Sequence, residues 1–176
     1  MKPRVAISSC LLGEKVRYDG DHKRMPILLD ELSAHLEWIP VCPELEVGMG
    51  VPRERVQLVV STENDGQRRM VGEETGRDWT VEIAQLAERR AAELAAWQLS
   101  GYIFKSRSPS CGLQNVKLYE GDSPPRSHGA GLFAEAIRTR WPRLPMVEET
   151  DLTTADTCRE FLDRVRKYHA ASGAGG

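Results

Sequence analysis

Apolar residues in this chain fall into short runs that alternate with longer stretches of helical spacing. Val5 to Ser8 has the pattern of a short buried strand, and Pro26 opens a helical pattern over Ile27 to Leu36. Trp38 to Val41 and Val56 to Val60 are further strand patterns, each a brief apolar run bounded by Pro, Gly or charged residues. From Asp78, placed as an N-cap, Trp79, Ile83, Leu86, Leu94 and Trp97 share one side of a 3.6-residue repeat, with Gly101 expected to end that helix. Tyr102 to Lys105 is the next strand, Leu132 to Trp141 a helix, and Leu144 to Val147 a last short strand. Thr153-Thr-Ala-Asp156 supplies a capping-box-like start to a final amphipathic helix running to about Tyr168.

Strands separated by helical segments predict an α/β fold of three layers, α/β/α, with a mostly parallel, Rossmann-like sheet covered on both faces. No internal repeat or linker interrupts the pattern, so a single domain over residues 1–169 is expected, followed by a flexible tail over 170–176. With 176 residues, 40% hydrophobic and 28% charged, the composition is that of a water-soluble globular domain able to bury a core. A net charge of −2 provides no overall field for a polyanion, which disfavours nucleic acid as an obligatory partner. The apolar stretch near the N-terminus is too short for a secretory signal, and no run approaches a membrane span. A cytoplasmic location is expected, where the four cysteines stay reduced.

Three of those cysteines change the picture. Cys10, Cys42 and Cys111 each follow a predicted strand, and in an open parallel sheet the carboxyl ends of the strands share the edge where binding crevices form. Cys158 instead joins Ala155, Phe161, Leu162 and Val165 on the apolar stripe of the last helix and is assigned to the core. Four readings of the converging thiols are open: unrelated buried cysteines; zinc with His22 or His128 as fourth ligand, although paired C-x-x-C knuckles are absent; thiol redox catalysis, without a nearby resolving cysteine; and an iron–sulfur cluster on three thiolates with one iron open.

"SSCLLGEKVRYDG" (Ser8 to Gly20), "VCPELEVGMGVPR" (Val41 to Arg53), "RDWT" (Arg77 to Thr80), "KSRSPSCG" (Lys105 to Gly112) and "GAGLFAEAI" (Gly129 to Ile137) occur in order over nearly the whole chain. Together they resemble the thiouracil desulfurases, a family formerly catalogued as a domain of unknown function. The resemblance implies a 4Fe-4S cluster bound by Cys10, Cys42 and Cys111, a catalytic carboxylate at Glu44 and a catalytic serine at Ser108. It also implies a non-redox reaction in which an iron free of protein ligands polarises a thiocarbonyl as a Lewis acid, water replaces sulfur, and hydrogen sulfide leaves.

Other residues carry smaller expectations. Tyr18 is a candidate to stack on a pyrimidine, and Asp19 to accept an N–H, although Asp19-Gly20 also reads as an ordinary turn. Lys105 and Arg107 are candidates for a substrate carbonyl, or for plain solvation. The "GAG" stretch at Gly129 lacks the rest of a phosphate-loop fingerprint. Larger proteins resembling this family carry an extra C-terminal domain that does not follow the last helix here. The expected partner is therefore a small thiolated pyrimidine such as free thiouracil, rather than thiolated transfer RNA. The alternative from another class is a sensor or regulatory module holding a metal or labile cluster on the same cysteines, for which Glu44 and Ser108 have no use.

Overall fold

A computed structural model describes residues 1–60 and 66–173. The elements are β1 (Arg4–Ser8), α1 (Pro26–Leu32), β2 (Glu37–Val41), α2 (Pro43–Glu46), β3 (Val56–Val60), β4 (Arg68–Gly72), α3 (Thr80–Ala96), β5 (Leu99–Phe104), β6 (Val116–Tyr119), β7 (Arg126–His128), α4 (Leu132–Arg140), β8 (Met146–Glu148) and α5 (Ala155–Gly173). Short 3-10 turns at Ser9–Leu12 and Glu149–Asp151 follow β1 and β8.

The strands form two sheets. The first, ordered β2-β1-β5-β8, is parallel throughout, with Val5 opposite Trp38 on one side and Gly101 on the other. Its order reverses direction at β1: the chain steps to β2 on one side and later returns through β5 to the other. The second sheet, β4-β3-β6-β7, is mixed, with β3 and β6 parallel and both outer pairs antiparallel. The Val56–Val60 strand belongs to this second sheet.

Alternation along the first sheet splits its side chains between two cores. Val5, Ile7, Ile103 and Val147 pack under α1 and α5, against Leu28, Leu32, Phe161 and Val165. Ala6, Tyr102 and Phe104 face the other way, toward Ile83 and Leu86 of α3, Phe133 and Ile137 of α4, and Leu58, Met70 and Leu118 of the second sheet. The three-layer α/β arrangement is thus present, with the second sheet added to one layer.

Several local expectations shift. The first helix stops at Leu32; Leu36 is buried all the same, but beyond a turn in which the Trp38 indole N–H donates to Ser33 Oγ at 3.0 Å. Gly101 ends no helix: α3 stops at Ala96, and Gly101 lies inside β5, where a Cβ would meet Val165 Cγ2 at 2.8 Å. Trp97, expected on the apolar stripe, is 41% exposed. At the start of α5 the reciprocal pair is Thr154 with Thr157, each side-chain oxygen accepting the other's backbone N–H. The final helix continues past Tyr168 to Gly173, and residues 174–176 of the expected tail lie outside the described residues. Among the described residues, no helix is long and apolar enough to cross a membrane.

Candidate functional site

The carboxyl edge of the parallel sheet carries a cavity of about 550 Å³, and Cys10, Cys42 and Cys111 all line it. They arrive from the ends of β1, β2 and β5, the three adjacent strands around the switch in strand order. Cys10 sits in the 3-10 turn after β1, closed by Gly13 at φ 99°, and its carbonyl also accepts the Lys23 N–H at 2.8 Å. Cys42 stands between β2 and α2; its N–H donates to Glu46 Oε1 at 3.2 Å, and its Sγ lies 3.9 Å from Glu44 Oε2. Cys111 is held in a tight turn in which its N–H donates to Ser108 Oγ at 3.1 Å and the Gly112 N–H to the Ser108 carbonyl at 2.9 Å. A Cβ at Gly112 would come within 2.5 Å of Val116 and 2.9 Å of that carbonyl, so the turn requires glycine. Cys158 is fully buried on the core face of α5.

All four cysteines are free thiols. Burial pushes Cys10 up to about 11, against the opposing pull of the Lys105 ammonium, and Cys42 up to about 12, with the Glu44 carboxylate adding to the effect. Cys111, the most enclosed of the three, is raised well above the ordinary thiol value by burial and then by Glu44. These thiols stay protonated at neutral pH unless a strong cation compensates the thiolates.

Among the described residues, no three His, Cys, Asp or Glu side chains are gathered closely enough to hold a single metal ion. His22 and His128 do not line the cavity; His22 Nδ1 accepts the Arg24 N–H, and His128 is exposed on β7. Three sulfur donors spread around one cavity fit a multi-iron cluster, whose ligands attach to different irons, better than one tetrahedral zinc.

Glu44, in the first turn of α2, faces the serine loop across the cavity floor. Its Oε1 accepts the Ser110 hydroxyl at 2.5 Å and lies 3.3 Å from Ser108 Oγ. The two hydroxyls are themselves 3.0 Å apart. Ser108 lines the cavity, whereas Ser110 is fully buried behind it. Ser108 also does what turn serines do, accepting the N–H groups of Ser110 and Cys111. With its lone pairs turned to those donors, its own proton is left for Glu44 Oε1 or for Ser110 Oγ. Ser110 was the member of this trio that the sequence pattern did not single out.

Tyr18 lines the cavity, with the Arg55 guanidinium 4.5 Å over its ring and donating to its hydroxyl at 2.6 Å. Asp19 does not line it: the carboxylate is exposed, 3.5 Å from Arg17 Nε, and accepts the Asp21 N–H at 3.1 Å, as in a turn. Lys105 lines the cavity, but its ammonium is paired with the buried Glu149 carboxylate and bonded to the Ser106 carbonyl and hydroxyl. Glu149 also accepts the Ser106 N–H at 2.6 Å, tying the loop after β5 to the turn after β8. Asp78 and Trp79 serve the fold: Asp78 accepts the Thr80 N–H at the start of α3, and Trp79 is buried under Arg77.

Three comparisons bear on this site. The family model described as 2-thiouracil desulfurase matches residues 5–149, a span that contains every thiol, carboxylate and hydroxyl on the cavity floor. The uncharacterized protein YbbK of Bacillus subtilis (strain 168) is 31% identical over 141 residues, covering 76% of this chain and 89% of that protein. A solved structure described as the 4Fe-4S-dependent thiouracil desulfidase TudS is similar with a TM-score of 0.65 and 27% identity, over 90% of this chain and 99% of that one.

Proposed function

The chain belongs to the 2-thiouracil desulfurase family, and from that membership we propose that it removes sulfur from a small thiolated pyrimidine, with thiouracil the reference substrate, using a 4Fe-4S cluster held by Cys10, Cys42 and Cys111. The observation that carries this reading is the placement of three thiols and a carboxylate–hydroxyl chain around one cavity. A cluster bound there supplies an iron without a protein ligand, a Lewis acid for the soft sulfur of a thiocarbonyl.

The remaining chemistry falls to the chain's own residues. Glu44 is the base that takes a proton from the attacking water or from the ring nitrogen. Ser110, donating to Oε1 at 2.5 Å, fixes the carboxylate's orientation, and Ser108 presents a hydroxyl to the cavity through which a proton can pass to Ser110 and Glu44. Lys105 offsets part of the cost of thiolate formation at Cys10. The balance is that of hydrolysis: the carbon–sulfur double bond and one water give a carbonyl and hydrogen sulfide, with no electrons gained or lost. The Arg55 guanidinium over Tyr18 leaves that residue as a cavity wall, and Lys105, being paired, is not a free cation for a substrate carbonyl.

The test is anaerobic reconstitution followed by incubation with thiouracil, thiouridine and thiolated transfer RNA. Stoichiometric sulfide and uracil from thiouracil are expected. Turnover of the transfer RNA alone would overturn the choice of a small substrate. A loaded cluster that releases sulfide from none of the three would favour a sensor.

A further inference from the structure

The loop from Lys105 to Gln114 carries Cys111 and both hydroxyls that meet Glu44, and each of its ends rests on a buried carboxylate that does not line the cavity. Glu148 Oε1 accepts the Leu113 N–H at 2.8 Å and the Gln114 N–H at 3.3 Å. Glu149 Oε2 accepts the Ser106 N–H at 2.6 Å, while its Oε1 accepts the Ser106 hydroxyl at 2.7 Å and the Lys105 ammonium. These two acids are neighbours in sequence and only 4% and 7% exposed. Phe104, the last residue of β5, stands opposite Glu148 in the sheet, so the pair sits where the loop begins.

Backbone groups hold the crown of the loop. No side chain caps α4, and the N–H groups at its start donate to the loop instead: Gly131 to the Gly112 carbonyl at 2.7 Å, Leu132 to that of Pro109 at 3.1 Å and Ala134 to that of Ser110 at 3.0 Å. The glycine-rich stretch before α4 thus docks the loop. A carboxylate withdrawn from water is costly unless its oxygens are paired, and here the loop supplies the partners. Glu148 also has an ordinary use, since its side chain accepts the Asp151 N–H and caps the turn after β8. A cap needs neither Leu113 nor Gln114.

We propose that Glu148 and Glu149 are positioning residues that hold this loop as a preformed arch, Glu148 fixing the Cys111 end and Glu149 the Ser106 end. Thiol and hydroxyls then stand in place before any iron arrives. The bearing on cluster retention rests on the ligation put forward above; the arch itself does not. Groups that support a metal ligand from behind typically change metal retention by about 10–100-fold when removed.

The experiment measures alkylation of Cys111 in the apo protein, with Cys158 as internal reference, and loss of the cluster to a chelator after anaerobic reconstitution. In Glu148→Ala and Glu149→Ala, Cys111 is expected to react about 10-fold faster while Cys158 keeps its rate. Their clusters are expected to be lost about 10-fold faster. Asp151→Ala breaks the cap and spares the loop contacts, so it should melt lower with Cys111 unchanged. The glutamine variants keep the test open if an alanine variant does not fold. Glu148→Gln retains one oxygen for both N–H groups and should behave as the parent. Glu149→Gln must turn an amide N–H₂ toward either the Ser106 N–H or the Lys105 ammonium, and should behave as the alanine variant. Parent rates in both alanine variants overturn this inference, as do equal rates in the two glutamine variants or an Asp151→Ala protein as reactive at Cys111 as Glu148→Ala. A parent that takes up no cluster overturns the functional reading, while the apo rates still decide this one.

Discussion

At the scale of single residues, the two serines facing Glu44 differ in what else they hold. Ser110 donates to the carboxylate from a buried position with its oxygen 3.5 Å from the Cys111 sulfur, whereas Ser108 accepts the N–H of Cys111. Glu44→Gln should therefore leave the cluster spectrum intact and slow sulfide release by about 10²–10⁴-fold, the usual range for lost proton handling. Ser110→Ala should slow it likewise while shifting the spectrum, because its hydroxyl also touches the Cys111 sulfur. Ser108→Ala should slow turnover too, but it also removes an acceptor from the turn that presents Cys111, at roughly 1 kcal/mol, so its cluster should be stripped faster. Iron content and single-turnover sulfide release on the three variants separate these outcomes; equal cluster loss in all would deny the distinction. The sequence pointed to this loop and to Glu44, but not to Ser110. Ser106, Ser108 and Ser110 alternate along one turn, which carries a left-handed backbone at Arg107, φ 62°, and which hydroxyl meets Glu44 has no local mark in the sequence.

At the scale of elements, the start of α3 and the middle of β5 each turn on one residue. The Asp78 carboxylate is raised by partial burial but held below its ordinary value by the Thr80 hydroxyl, the Thr80 N–H and Arg69. A folded value below the unfolded one means that its contribution is present above about pH 4 and is lost as pH falls through the folded value. Asp78→Ala should cost about 1 kcal/mol at neutral pH, with the gap to the parent closing in acid; denaturant titrations at pH 7 and pH 3 would show it. Gly101→Ala should cost about 1–3 kcal/mol through overpacking against Val165, and Val165→Ala in the same chain should recover part of that loss. Periodicity placed β1, β2, β5 and the four longer helices because each buries apolar positions at its own period, whereas α2, four residues long, has no stripe to read. It read Gly101 as a helix stop because the approach of α5 to β5 is a tertiary fact with no local mark. The second sheet was mostly missed for a related reason: β4 begins with two arginines, and β7, Arg126–His128, is exposed along its length.

At the scale of the molecule, strand order explains why thiols so far apart in sequence share one cavity. β1 is paired with β2 on one side and β5 on the other, so the turns that follow these strands are neighbours. Cys10→Ala, Cys42→Ala and Cys111→Ala should each abolish stable cluster loading, measured as iron and sulfide per chain after reconstitution. Cys158→Ala, on the buried face of α5, should load fully while losing about 1 kcal/mol of stability. Full loading of the Cys111→Ala protein would remove the basis of the proposed ligation.

The same strand order sets a timetable for maturation. Arg4 of β1 pairs with Leu99 of β5, so the third thiol takes its place only after β3, β4 and α3 have been synthesised. A nascent chain that has emerged as far as α2 offers Cys10 and Cys42 alone, two ligands where the proposed cluster takes three. On the proposed ligation, the site is complete only once Cys111 has joined Cys10 and Cys42, and the donor that hands over iron and sulfide meets a folded receptor rather than an emerging strand.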